Sequence, residues 1–514
     1  KWDNGRSAIK TEDGRVICRS CHNPHAAVKN TSLLEYIGNS DENYINFLCK
    51  KCHKDKISTG KMQNNQGTHP VDLPATDNMK PVSKIPFDKN RKLMCFSCHM
   101  PHNAANESSS DGNDGKILRV TNMNSILCKE CHEEKYADGI KQAESKGMHP
   151  IMLVPKDTVL EEAVKKGGQV GKDGVLVCSS CHNIHKGTKG TPVLIETNQN
   201  SEICNLCHKS KLIKEEDNTV TAMKHPVGQK PVNAKISKEI FDAGGKLGEN
   251  GEIICALCHK PHQSVKDTQL LIMENQKNSM CLKCHSDKLT VKSSDHNLAI
   301  TNPFASNLRG ENVTKGGLCS ACHFSHQWAR SLDRSGDLIQ QFCLSCHAEG
   351  KPGEKKLIGG YTHPTNVTLK NIGDGKTSLP LYPELGLKKE AAEKKVFCNT
   401  CHNVHKWSPD KEDMEEEHTQ NVEGDFNNSF LKLKNDNKSS LCLDCHKDKK
   451  LVVNTEHDLN ITAPLAVNII SQTAGSAGVC SACHLPHNGT NRRMWARQLS
   501  GKEDAGSQFC KKKK

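Results

Sequence analysis

Thirteen times in this chain two cysteines stand three positions apart and a histidine follows at once. The pairs are Cys18 and Cys21, Cys49 and Cys52, Cys95 and Cys98, Cys128 and Cys131, Cys178 and Cys181, Cys204 and Cys207, and Cys255 and Cys258. They continue with Cys281 and Cys284, Cys319 and Cys322, Cys343 and Cys346, Cys398 and Cys401, Cys442 and Cys445, and Cys480 and Cys483. The closing histidines are His22, His53, His99, His132, His182, His208, His259, His285, His323, His347, His402, His446 and His484. This spacing is the attachment signature of haem c. Two thiols add across the two vinyl groups of one porphyrin, and the adjacent histidine supplies the proximal nitrogen to iron. Zinc ribbons also use paired cysteines, but they have no need of a histidine after every pair. A disulfide across two residues is a redox motif rather than a staple.

Fourteen of the 27 histidines remain. Seven lie three residues after a motif histidine: His25, His102, His185, His262, His326, His405 and His487. Each belongs to the first motif of a pair. Six more follow a second motif by 11 to 17 residues: His69, His149, His225, His296, His363 and His457. Four of these six precede proline. That makes one distal candidate for each motif, with His418 spare. A single histidine would read as a surface or core residue. Positions that recur with the motif read as axial ligands. Thirteen proximal and thirteen distal candidates predict bis-histidine iron throughout, which suits electron transfer rather than catalysis. A histidine three residues from the proximal one cannot easily reach the opposite face of the same ring. It is therefore expected to ligate a neighbouring haem. The 12 methionines show no such pattern and read as packing.

The motifs come in pairs, and the pairs repeat. First-motif cysteines advance from 18 to 480 in six steps, a mean of 77 residues. We divide the chain into six di-haem modules, residues 1–72, 73–152, 153–228, 229–298, 299–366 and 367–460, and an incomplete seventh, 461–514. Composition agrees with a cofactor-filled interior. Apolar residues are 35% of the chain, about 30% without cysteine, and aromatics are 4%. The expected fold is mostly irregular loop with short helices and small β-hairpins, a repeat array of di-haem modules organised around a continuous haem chain. Hairpins are expected at Asp13-Gly14, Asp173-Gly174 and Asn250-Gly251, each followed by a β-prone run into a motif. Helices are expected over 158–166, stopped by Gly167, and over 384–395. Gly167 to Asp173 and Asp111 to Gly115 are weak matches to phosphate and calcium loops and read as turns. The acidic run Glu412 to Glu417 beside His418 reads as a solvated insertion.

A larger repeat of 161 residues relates His296 to His457 and Cys319 to Cys480. It sets Gln341-Phe342-Cys343 against Gln508-Phe509-Cys510, so Cys510 is expected to open a fourteenth motif. The start at Lys1 without methionine suggests a processed or partial chain. No apolar run approaches the roughly 18 residues of a membrane-spanning helix. The formal charge of +12 does not point to nucleic acid. A ferric bis-histidine haem with ionised propionates carries about −1, so thirteen bring +12 to about −1, and to about −14 when reduced.

With these motifs on the page, from Cys18–His25 paired with Cys49–His53 through Cys480–His487, the chain resembles the multihaem c-type cytochromes with doubled CXXCH motifs of metal-respiring bacteria. The resemblance implies maturation outside the cytoplasm, haems stacked in parallel and crossed pairs, and respiratory or extracellular electron transfer. It implies redox partner proteins or extracellular acceptors. Some similar cytochromes polymerise into conductive filaments, which makes a second copy a candidate partner. The expected localisation is extracellular or cell-surface, with the periplasm as alternative. A reductase would need one haem with an open position, and a storage role would use the same haems as a reservoir. No complete motif departs from the pattern, so an electron carrier is the expectation.

Overall fold

The computed structural model describes residues 11–25, 33–34, 44–56, 58–59, 67–74, 85–102, 117–155, 160–209, 225–232, 235–326, 338–370, 372–383, 393–406 and 430–498. Among them, strands are two residues long and helices no longer than eight. Strand β1 (Thr11–Glu12) pairs antiparallel with β2 (Arg15–Val16) around the Asp13-Gly14 turn. Strand β3 (Ser58–Thr59) pairs parallel with β4 (Pro70–Val71). Strand β5 (Tyr382–Pro383) pairs antiparallel with β6 (Lys394–Lys395). The rest is loop, as the composition predicts.

The chain forms two compact units. The first holds Lys1–Ser210, Val227–Val232 and Lys238–Glu274; the second holds Lys211–Pro226, Asn233–Ser237 and Asn275–Lys514. The division falls inside the fourth repeat. Apolar packing is local and small. Ile85, Leu118 and Leu127 cluster against Cys98, Val120 and Cys131, and Ala137, Ala143 and Met148 form another group.

Most motifs occupy a single helical turn, such as Cys18–Cys21, Cys95–Cys98 and Cys398–Cys401. One turn sets residues three apart on the same side, so both thiols of a pair face one way. In four first motifs the residue before the second cysteine closes the turn. Ser20, Ser97, Ser180 and Thr400 accept from the N–H of Ile17, Met94, Val177 and Phe397 at 2.9–3.1 Å. All four are buried. Ser97 and Ser180 also donate to the carbonyls of Pro86 and Gln169 at 2.5 and 2.6 Å, so a buried hydroxyl is satisfied in both roles.

After each first motif the chain returns to the histidine. His22, His99, His182, His259, His402 and His484 bridge antiparallel to Leu34, Leu118, Leu194, Leu271, Leu431 and Trp495. The residue before each bridging partner is left-handed: Leu33, Ile117, Val193, Leu270, Phe430 and Met494 have φ between 43° and 62°. Bulky residues rarely adopt this conformation. Its carbonyl is held by the N–H just past the motif histidine, as from Lys260 to Leu270 at 2.8 Å.

Three expectations change in detail. Over 384–395 a helix was expected, but Lys394–Lys395 is strand β6, drawn into pairing with Tyr382–Pro383; residues 384–392 lie outside the described set. At Asp173-Gly174 the turn forms, closed by Gly171 N–H to Val175 O at 2.9 Å. The following run does not fold back as a strand. Leu176 instead exchanges hydrogen bonds with Met152 and Leu153 at 2.8 and 2.9 Å. The helix near 160 is Leu160–Lys165, followed by Gly167 at φ 92°. Asn250-Gly251 forms its turn, with Leu247 bridging Ile253. Asp111–Gly115, the acidic run with His418, and Cys510 lie outside the described residues.

Candidate functional site

The structure brings the candidate histidines together in twos. In the first unit His22 faces His102, His99 faces His185 and His182 faces His262, with ring centroids 5.9, 6.0 and 6.2 Å apart. In the second unit His323 faces His405 at 5.8 Å and His402 faces His487 at 6.0 Å. Each pair joins the histidine of a first motif to the histidine three past the first motif of the next repeat. Second motifs follow a different rule. His132 faces His69 at 6.3 Å, His208 faces His149 at 6.2 Å, His285 faces His225 at 6.4 Å, His347 faces His296 at 6.2 Å and His446 faces His363 at 6.3 Å. Here the partner is the late histidine of the preceding repeat.

The two classes also differ in ring orientation. First-motif pairs have interplanar angles of 18–32°. Second-motif pairs have angles of 56–73°. His259 lies in the first unit and His326 in the second. His25, His53, His457 and His484 are exposed, and none faces another imidazole among the described residues. His484 instead stacks on Trp495 at 4.7 Å.

Backbone carbonyls fix which ring nitrogen is free. Nδ1 of His182, His259 and His484 meets the carbonyl of Pro192, Gln269 and Arg493 at 2.9 Å. Among late histidines the following proline supplies the acceptor. Nδ1 of His69, His149 and His363 meets the carbonyl of Pro70, Pro150 and Pro364 at 3.1 Å. A histidine that donates through Nδ1 presents the Nε2 lone pair to a metal. Burial keeps the rings neutral. It lowers the pKa of His69, His149, His182 and His225, and brings His262, His296, His405 and His487 down to about 4. A neutral ring is the form that binds iron.

The cysteines line up between motifs. Within a repeat, the second cysteines of the two motifs interact: Cys98 with Cys131, Cys181 with Cys207, Cys322 with Cys346 and Cys401 with Cys445. Burial first, and these neighbours second, push Cys98, Cys181, Cys322 and Cys401 up to about 11. Between repeats, the first cysteine of a second motif is hydrogen-bonded to the first cysteine of the next first motif. This joins Cys49 to Cys95, Cys128 to Cys178, Cys204 to Cys255, Cys281 to Cys319 and Cys442 to Cys480.

Alongside each of these contacts lies a side chain that sequence reasoning missed. Asn46, Ser125, Ser201, Asn278 and Ser439 each accept a hydrogen bond from the backbone N–H of the next repeat's first cysteine. The available signal was positional: a Ser or Asn three residues before the second motif.

The donor set fits haem. With a metal–imidazole bond of about 2 Å and about 1 Å from nitrogen to ring centre, two rings trans on one iron have centroids about 6 Å apart. The ten pairs span 5.8–6.4 Å. Among the described residues no three of His, Cys, Asp and Glu converge on a free metal ion.

Comparison with known proteins points the same way. The family model described as "Doubled CXXCH motif" matches residues 9–58 and 248–290. The chain is 26% identical over 344 residues to "Multiheme cytochrome MtrA" of Shewanella baltica (strain OS185), covering 63% of this chain and 80% of the relative. The chain belongs to the multihaem c-type cytochromes. No solved structure matches this cytochrome. No helix of its described residues is long and apolar enough to cross a membrane.

Proposed function

We propose that this cytochrome is a long-range electron conduit with at least thirteen covalently attached haems, each held between two histidines. The observation that carries the reading is the set of ten imidazole pairs spaced for one iron. Haem iron supplies reversible one-electron chemistry, and with both axial positions filled it offers no site for substrate. The cysteine contacts give the order. Within each unit the first motif of a repeat lies beside its second, and the second lies beside the first motif of the next repeat. Sequence order is thus the order of neighbours along each row of attachment points. A reductase with one open haem, or a cytochrome that stores charge, are the alternatives.

Haem quantitation with spin-state spectroscopy on the native protein tests this reading. The expected result is at least thirteen haems per chain, one for each complete motif, nearly all low-spin. A large high-spin fraction, or a haem content well below thirteen, overturns it. Haem c chemistry places the protein outside the cytoplasm, at the cell surface or in the periplasm. Its partners are a donor cytochrome and a terminal acceptor.

One observation favours assembly of copies end to end. His25, His53, His457 and His484 are exposed, and the pairing rule gives each a partner in a repeat outside the described residues. In a row of copies, His25 of one would face His484 of the next. Electron microscopy of the native protein decides: filaments support assembly, and discrete single particles at high concentration overturn it.

A further inference from the structure

We propose that Asn46, Ser125, Ser201, Asn278 and Ser439 are positioning residues that set the spacing between haem attachment points of successive repeats. All five are buried, at 0–3% exposure. Each stands three residues before the first cysteine of a second motif. Each accepts from the N–H of the first cysteine of the next repeat, at 2.7, 2.8, 2.8, 2.6 and 3.0 Å in chain order. At all five junctions the two cysteine sulfurs are themselves within hydrogen-bond reach. Each sulfur is the attachment atom for a different porphyrin. One polar side chain therefore holds two attachment points together across 41 to 54 residues of chain.

Two independent features mark these positions as built. Ser125, Ser201, Asn278 and Ser439 are left-handed, with φ between 58° and 70°. Serine gains nothing locally from that conformation, so the bond it makes must offset the strain. The segment that approaches also makes room. Gly317 and Gly478, two residues before Cys319 and Cys480, are left-handed at φ 84° and 81°. A Cβ on Gly317 would lie 2.6 Å from Asn278 Oδ1, and one on Gly478 would lie 3.0 Å from Ser439 Oγ. Glycine there lets the backbone close onto the polar side chain.

The functional consequence rests on the conduit reading, because electron transfer falls steeply with edge separation. The bond itself does not. Ser439→Ala and Ser439→Asn in the full haem-loaded protein test it. Two readouts are taken: amide hydrogen exchange at Cys480, and the Soret circular-dichroism difference spectrum, which reports coupling between neighbouring haems. Ser439→Ala is expected to speed Cys480 exchange about tenfold and to change the Soret couplet, with haem content unchanged. Ser439→Asn, which borrows the residue used at Asn278, restores both. Unchanged exchange in Ser439→Ala overturns the proposal. So does faster exchange with an unchanged couplet, because the residue would then be structural only. If Ser439→Ala yields no haem-loaded protein, Ser439→Asn decides. Wild-type protection and couplet support the role, and failure to accumulate overturns it. Failure of the conduit reading is seen separately, as high-spin haem in the unaltered protein.

Discussion

The backbone N–H of His69 donates to the carbonyl of Ile184 at 2.7 Å. His69 faces His132, and Ile184 precedes His185, which faces His99. The two imidazoles that would complete both irons of the second repeat thus come from the first and third repeats and are tied to each other. His149 and Pro261 repeat the bond at 2.7 Å, His225 and Ser325 at 3.0 Å, and His363 and Pro486 at 2.8 Å. No repeat in these stretches completes its own sites.

Replacing His185 therefore acts at a distance along the chain. His185→Ala is expected to leave the site at His99 with one imidazole and to turn about one haem in thirteen high-spin. Ferric electron paramagnetic resonance, integrated against total haem, measures it. The converted haem belongs to the motif at Cys95, 87 residues before the substitution. Conversion at the motif of His182 would contradict the pairing.

Two families of low-spin signal should coexist. Near-parallel axial rings split the iron d orbitals strongly, and crossed rings leave them nearly degenerate. First-motif pairs at 18–32° and second-motif pairs at 56–73° predict rhombic and strongly axial signals in about equal amount. One family alone would show that ring planes do not follow motif class in the loaded protein.

Phe430 meets His296 edge-on, with centroids 4.5 Å apart and planes at 77°. An aromatic pair of this kind is worth about 0.5–1.5 kcal/mol. Phe430→Ala is expected to loosen His296 and raise carbon monoxide access to the reduced haem at Cys343 roughly 2- to 10-fold. Flash photolysis gives the rate, and the other sites serve as internal controls.

The turn that presents Ser439 is sensitive to acid. Burial opposes ionisation of Asp436, yet hydrogen bonds from Ser440 and Lys438 hold its carboxyl below the ordinary value of 3.8. A carboxyl lowered on folding adds stability that is present above 3.8 and lost as pH falls through the lowered value. Amide protection over 436–440 should be flat above pH 5 or so and fall below about pH 3.8. In Asp436→Asn that step should vanish.

Much of this molecule was legible in residue order. Thirteen motifs, the histidine three past each first motif and the late histidine all follow from spacing alone. So did the Asp13-Gly14 hairpin and the short helix near Ala163. Ring orientation was not legible, because it depends on how Leu271 and its counterparts bridge back to the motif histidine. Nor was the pairing of Leu176 with Met152 and Leu153, a contact between loops with no periodic signal. Ser125 and Ser201 look like ordinary loop serines until the N–H of Cys178 and Cys255 is placed beside them. Long-range partners of single polar atoms leave almost no trace in one sequence.

The rule that each histidine site draws on an adjacent repeat has a consequence for how such a gene can change. Insertion or deletion of one whole repeat leaves every junction with the same kind of neighbour, so the donor set stays complete. Loss of half a repeat would put second motifs against second motifs and strand two rings at once. Length in this architecture is free to vary in steps of about 77 residues, while phase is not.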